Sequence, residues 1–231
     1  MTGISIFDVD RTLTLRPTYT LFLLGAAWRS APWRLAFSPI IALVAIPYSF
    51  RLLPRRRMKE AMHALLLGRR LSRGRAEELA RAFSDRLARA GLYPEGVALI
   101  AAERAAGRRV MLATAAPAFY IAPLAAELGI TDIIATASVW DGERLTARIG
   151  GENCHGVSKR DMIVAHLAAA GIDRDCAHVR FYSDHLSDLP TFEWSDEPIA
   201  VNPSPSLLAA ARARGWTILD WKARRAEASA E

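Results

Sequence analysis

Cysteine is scarce in this chain: two residues in 231, Cys154 and Cys176. Their spacing fits no metal-ligand pattern, which excludes a zinc ribbon or a disulfide framework and suits a reducing compartment. His155 follows Cys154, but two adjacent ligand types do not make a site, and the pair reads as a loop with a buried thiol. No internal repeat or low-complexity tract appears ahead of a polar tail at 222–231. The amino terminus lacks a basic start and runs straight into an acidic motif, so no signal peptide is expected and the location is cytoplasmic. No DNA- or RNA-binding motif accompanies the basic residues, and nucleic acid is not an expected partner.

A membrane-spanning run is also missing. The longest uncharged stretch, "LAFSPIIALVAIPYSF" at 35–50, is bracketed by Arg34 and Arg51. It falls short of the ~20 residues that a spanning helix needs, and Pro39 and Pro47 interrupt it. Two readings remain. One is the buried helix of a small helical domain. The other, favoured here, is an interfacial segment with Trp28, Trp33 and Tyr48 at the headgroups and "RLLPRRRMK" meeting anionic lipid at the inner membrane face.

What is present is a chain that is 52% hydrophobic, long enough for one large domain or a domain with an insertion. Its net charge of +6 suits an anionic substrate or an acidic membrane surface, and many arginines cluster between 51 and 75. After residue 15 the β-like pattern vanishes for about eighty residues, giving helices at "TYTLFLLGAAW", "RRMKEAMHALLL" and "RAEELARAFSDRLARAG". In the last, Leu79, Phe83 and Leu87 form one apolar stripe. From Pro94 strands alternate with helices, which means a mostly parallel sheet with covered faces. "SVWDGERLTARI" reads as a hairpin around Asp141-Gly142. The fold class is therefore α/β, a doubly wound core at 1–15 and 94–221 with a helical cap at 16–93 inserted after the first strand.

Four strand ends or following loops carry polar residues of matching type. "ISIFDVDRTLT" places Asp8 and Asp10 after a buried strand, with Thr12 and Thr14 following. Two carboxylates so close repel unless something positive sits between them; the alternative reading of this stretch is a turn with helix-capping Asp and Thr residues. "MLATAAP" offers the hydroxyl of Thr114 and the backbone amides from Ala115 onward at a helix start, an anion site. "GVSKRD" puts Lys159 at the start of a helix. "FYSDHLSDLP" offers Asp184 and Asp188 on a loop after an apolar strand. Carboxylates with a lysine and a hydroxyl suit Mg²⁺ and a phosphoryl group, since Mg²⁺ takes oxygen ligands and substrate phosphate.

The series "DVDRT", "TAAP", Lys159 and "SDHLSD", in that order over residues 4–220, resembles the four motifs of the haloacid dehalogenase (HAD) superfamily. With helices between the first two motifs it resembles the phosphoserine-phosphatase-like branch. The resemblance implies a phosphatase with Asp8 as nucleophile, forming an aspartyl-phosphate, and Asp10 as general acid and then base. It implies Mg²⁺ on Asp8, Asp184 and the Asp10 carbonyl, with Thr114 and Lys159 holding phosphoryl oxygens and Asp188 supporting the metal site. Asn153, in "ENCHGVSK", is the best polar candidate of a substrate-side loop. Arg11 departs from the pattern, standing where the family usually has glycine; it either disturbs the turn or adds a cation near substrate. His185 and Ser187 face either substrate or solvent. The order of apolar segment, basic run and amphipathic helix resembles phosphatidylglycerophosphate phosphatases in hydropathy, so a lipid phosphate is the expected substrate. A soluble ester such as phosphoserine is the alternative. A non-catalytic phosphate sensor at the membrane fits the cap but not the paired nucleophile and acid.

Overall fold

The computed structural model describes residues 1–37, 39 and 54–222. Most of the apolar segment at 35–50, and the tail beyond Lys222, lie outside the described residues. The elements are β1 (Thr2–Phe7), α1 (Thr18–Ser30), a 3₁₀ turn (Pro32–Phe37), α2 (Arg55–Leu66), β2 (Arg70–Ser72), α3 (Arg73–Ala90) and α4 (Pro94–Ala105). Then follow β3 (Arg109–Pro117), α5 (Ala118–Glu127), β4 (Asp132–Asp141), β5 (Arg144–Gly150), α6 (Val157–Ala169), β6 (Ala177–Ser183), α7 (Leu189–Trp194), β7 (Glu197–Val201), α8 (Pro205–Arg214) and β8 (Thr217–Leu219). The fold is α/β, as the alternating pattern requires.

One eight-stranded sheet runs β2-β5-β4-β3-β1-β6-β7-β8. Strand β1 is central and pairs in parallel with β3 and β6. Its side chains alternate between the two faces: Ile4 and Ile6 enter one buried cluster with Met111, Ala113 and Phe181. Phe7 enters the other, with Leu112, Tyr120 and Tyr182. Helices cover both faces, so near-continuous apolar strands result instead of half-polar ones. Strands β4 and β5 form an antiparallel hairpin, with Gly142 at φ 55° in its turn. A positive φ favours glycine, as the Asp-Gly signal implies.

The segment between β1 and α4 is helical, and its stripe of Leu79, Phe83 and Leu87 is buried. It also holds strand β2, which pairs with β5 and was not expected from sequence. Three residues, Arg-Leu-Ser, carry no alternation long enough to read. In α2, His63 is buried against the Phe119 ring and its Nε2 has no hydrogen-bond partner among the described residues. Burial lowers its pKa from 6.5 to about 4. Because the folded pKa is depressed, the unfolded chain binds the proton first, so stability is lost as pH falls from 6.5 towards 4. Between pH 7 and pH 5 this group should remove on the order of 2 kcal/mol of folding stability. Urea unfolding at both pH values should show that His63→Gln loses that part of the pH dependence; an unchanged pH difference would contradict it.

Candidate active site

Parallel neighbours β1 and β6 end side by side, Phe7 opposite Tyr182, and Asp8 N–H donates to the Tyr182 carbonyl at 2.8 Å. Asp8 and Asp184 therefore emerge close together at the carboxyl end of the sheet, where open α/β sheets bind ligands. A cavity of about 300 Å³ opens there. Asp8, Asp10, Arg11, Ala115, Lys159, Asp184 and Asp188 line it. Thr114 and Asn153 do not.

The hydroxyls after the first motif hold its loop. Thr12 Oγ1 donates to Asp8 Oδ2 at 3.2 Å, and the Arg11 N–H donates to Thr14 Oγ1 at 3.1 Å. Arg11 takes the left-handed conformation, φ 62°, that a glycine would adopt without strain. The tight turn is kept, braced by Asn202 Nδ2 donating to the Arg11 carbonyl at 3.4 Å. Asp10 Oδ1 accepts from both the N–H and the hydroxyl of Thr18, at 2.8 and 2.7 Å. The start of α1 thus fixes the second carboxylate.

Lys159, in the first turn of α6, is buried and donates to Asp8 Oδ1 at 2.8 Å and Asp188 Oδ2 at 2.6 Å. Burial alone would lower its pKa, but Asp188 and Asp8 reverse that and keep it charged. Burial alone would raise Asp188; Lys159 and the Ser183 hydroxyl at 2.7 Å hold it below the usual range instead. Asp8 fares differently: burial, reinforced by Asp188 and Asp10 and only partly opposed by Lys159, lifts it to about 6. Burial, then Asp8 and Asp188, lift Asp184 to about 7. One lysine thus compensates one carboxylate of this set, and Asp188 Oδ1 is buried with no hydrogen-bond partner among the described residues.

These features fit a divalent cation. The donors are hard oxygens, they repel one another, and added positive charge would lower the raised pKa values. Among the described residues no three acidic, histidine or cysteine side chains form a ready cage. Mg²⁺ characteristically uses one or two carboxylates, waters and substrate phosphate.

The second motif lies in a bulge, where β3 slips against β4 after Thr114. The fully buried Thr114 Oγ1 accepts from Ala116 N–H at 3.1 Å, behind the wall that Ala115 forms. Asn153 is a brace: its Oδ1 accepts from Lys59 Nζ at 2.7 Å and lies 3.1 Å from Thr136 Oγ1. Cys154 is buried, as its loop reading expects, with its thiol pushed up to about 12 by burial.

Three side chains near the site escaped the sequence reading. Lys59 in α2 is buried and donates to the Ala115 carbonyl at 2.6 Å as well as to Asn153. Burial and then Arg55 lower its pKa to about 8, against Asp10. Arg55 and His155 line the cavity itself. The sequence presents Arg55–Arg57 as part of one lipid-facing run, yet its members diverge. Arg56 donates to the Ile149 and Gly151 carbonyls, and Arg57 is largely exposed, with Glu60 at 3.9 Å. A signal existed in the lysine and arginine spaced four apart on one helix face, but nothing local says what that face meets.

A family model described as haloacid dehalogenase-like hydrolase matches residues 6–193. Phosphoserine phosphatase SerB1 of Mycobacterium tuberculosis is 27% identical over 234 residues, covering 97% of this chain and 73% of that protein. A crystal structure of a protein of unknown function from Bordetella pertussis Tohama I is 28% identical, with TM-score 0.86, covering 96% of this chain and 99% of that one. A probable phosphoserine phosphatase from Vibrio cholerae shares the fold, with TM-score 0.70 at 16% identity, covering 95% of this chain and 60% of that one.

Proposed function

This chain belongs to the haloacid dehalogenase-like hydrolase family, and from that premise we propose that it is a Mg²⁺-dependent phosphomonoester hydrolase acting through an aspartyl-phosphate. The observation that carries the reading is Asp8: a buried carboxylate at the end of the central strand, 2.8 Å from Lys159 and facing the cavity. The Asp8 carboxylate attacks phosphorus while the bond to the leaving oxygen breaks, and the Asp10 carboxyl gives its proton to that oxygen. Asp10 then takes a proton from water, whose oxygen attacks phosphorus, releases inorganic phosphate and restores Asp8. Thr18 occupies Asp10 Oδ1, which leaves Oδ2 for the proton.

Asp8, Asp184 and the Asp10 carbonyl would hold Mg²⁺, with Asp188 in support through Lys159. When bound, the ion supplies positive charge to the phosphoryl oxygens as they gain charge. Ala115 and Lys159 contact those oxygens, with Thr114 and Asn153 holding the walls. Residues 1–15 and 94–221 form the catalytic core, and 16–93 form the cap that selects substrate. Release of phosphate from p-nitrophenyl phosphate, dependent on Mg²⁺ and stopped by EDTA, tests the assignment. Turnover that persists in EDTA would overturn the metal role.

The finer reading, a lipid phosphate at an anionic membrane, is favoured by Trp28 and Trp33, which are 68% and 63% exposed. Each directly precedes an arginine, Arg29 and Arg34, and the Arg34 guanidinium lies 4.8 Å over the Trp33 ring. Exposed indoles beside arginines suit a headgroup layer. No helix among the described residues is long and apolar enough to cross a membrane. The protein should sediment with phosphatidylglycerol vesicles, less so in high salt, and the Trp28→Ser/Trp33→Ser double variant should bind at least tenfold more weakly. Wild-type protein left wholly in the supernatant would move the assignment to a soluble ester.

A further inference from the structure

The four carboxylates at the floor of the cavity are all engaged by the proposed chemistry. The remaining wall carries two arginines, Arg11 from the turn after the first motif and Arg55 from α2, beside Pro17, His155, His185 and Ser187. Among the described residues neither guanidinium has a carboxylate within ion-pair distance, whereas neighbouring Arg56 and Arg57 both reach Glu60. Arg55 Nη1 lies 2.7 Å from His155 Nε2. Burial, and then Arg55 itself, push the His155 pKa down to about 4. The neutral ring accepts from the guanidinium and aims it without neutralising it.

Two further observations point the same way. Arg55, Arg56 and Arg57 occupy the first turn of α2, and no acidic residue accompanies them there. Helix N-termini favour acidic side chains, so this placement goes against the local rule and gathers positive potential at the cavity mouth. And from Arg11 through Lys59 the sequence has no aspartate or glutamate, against nine arginines and lysines. Of the described residues in that span, Arg11, Pro17 and Arg55 line the cavity, and none of them is acidic.

Resting on the phosphomonoesterase reading, we infer that the leaving group of the substrate carries a negative charge of its own and no ammonium, selected by Arg55 and Arg11. A carboxylate or a phosphodiester would serve, because both accept a bidentate guanidinium. A phosphorylated amino acid is disfavoured, since its ammonium would meet these two cations.

The test uses the full chain with Mg²⁺ and five esters. These are 3-phosphoglycerate, glycerol 3-phosphate, phosphoserine, phosphatidylglycerophosphate in detergent, and p-nitrophenyl phosphate as a check on turnover itself. The kcat/KM for 3-phosphoglycerate, for the lipid, or for both should exceed that for glycerol 3-phosphate by tenfold or more. Phosphoserine should do no better than glycerol 3-phosphate. Preference confined to the lipid assigns the charge to a phosphodiester; preference confined to the soluble acid assigns it to a carboxylate. Arg55→Gln should shrink the preference at least tenfold, chiefly through KM, and Arg55→Lys should restore part of it. A merely structural role for Arg55 would lower all five together. Turnover of p-nitrophenyl phosphate with a flat or inverted order among the others overturns this inference alone. No turnover of any ester overturns the phosphatase reading and this inference with it.

Discussion

Asp8→Asn should abolish phosphate release while leaving the fold in place. Asparagine keeps the size of the side chain and an oxygen that can accept from Lys159, now 2.8 Å from Asp8 Oδ1. What it lacks is the anionic nucleophile, and without the covalent step the barrier should rise by about 4 kcal/mol or more, roughly a thousandfold in kcat. Folding should not suffer, because the wild-type carboxylate is itself disfavoured: burial lifts its pKa to about 6. A group whose folded pKa is raised from 3.8 in this way weakens the fold at pH 7, where it must be ionised, and removing the charge relieves that. Lys159 retains Asp188 at 2.6 Å as a counterion. The check is a pair of measurements, steady-state turnover and thermal unfolding. Activity within about tenfold of wild type, in a variant that melts where wild type does, would remove Asp8 from the nucleophile role.

The strand ends were legible in the sequence because each is a local event. A buried apolar run followed by Asp8, or by Asp184, announces its own topology: parallel strands put their carboxyl ends on one side of the sheet. Arg11 was legible as a departure but not in its outcome. Its left-handed φ of 62° is accompanied by a local bond to Thr14 and by a contact from Asn202, nearly two hundred residues away, that no local pattern announces. Arg55, Lys59 and His155 were illegible for the same kind of reason. Each meets its partner across a large sequence separation, His155 with Arg55 and Lys59 with Ala115. A basic run reads as a solvated patch until the fold sets one member in a cavity and ties the next to backbone carbonyls. Thr114 shows the converse: its loop reaches the cavity at Ala115, while the Thr114 hydroxyl, at the bulge, accepts from Ala116 N–H.

Asp10 and Asp184 should separate in a Mg²⁺ titration. Asp10→Asn preserves an oxygen for the Thr18 N–H and hydroxyl, which lie 2.8 and 2.7 Å from Asp10 Oδ1, so the start of α1 stays seated. The variant loses the proton that protonates the leaving oxygen and the base that later activates water. A general acid–base group of this kind contributes about 10²–10⁴-fold. The Mg²⁺ concentration for half-maximal rate should nevertheless stay within about threefold of wild type, because the expected contact is the backbone carbonyl, which the substitution leaves intact. The loss should be deeper for an alkyl ester than for p-nitrophenyl phosphate, whose leaving group needs no proton, wherever phosphoryl transfer to Asp8 limits the rate. Asp184→Ala should do the opposite. It takes away a carboxylate whose pKa, raised to about 7 by burial, Asp8 and Asp188, marks it as short of a positive partner. Removing one charged oxygen ligand from a Mg²⁺ site should raise the half-maximal concentration at least tenfold, with activity recovering in part at saturating metal. Should Asp10→Asn shift the metal requirement while Asp184→Ala slows turnover at unchanged Mg²⁺ demand, the two carboxylates have been given each other's roles.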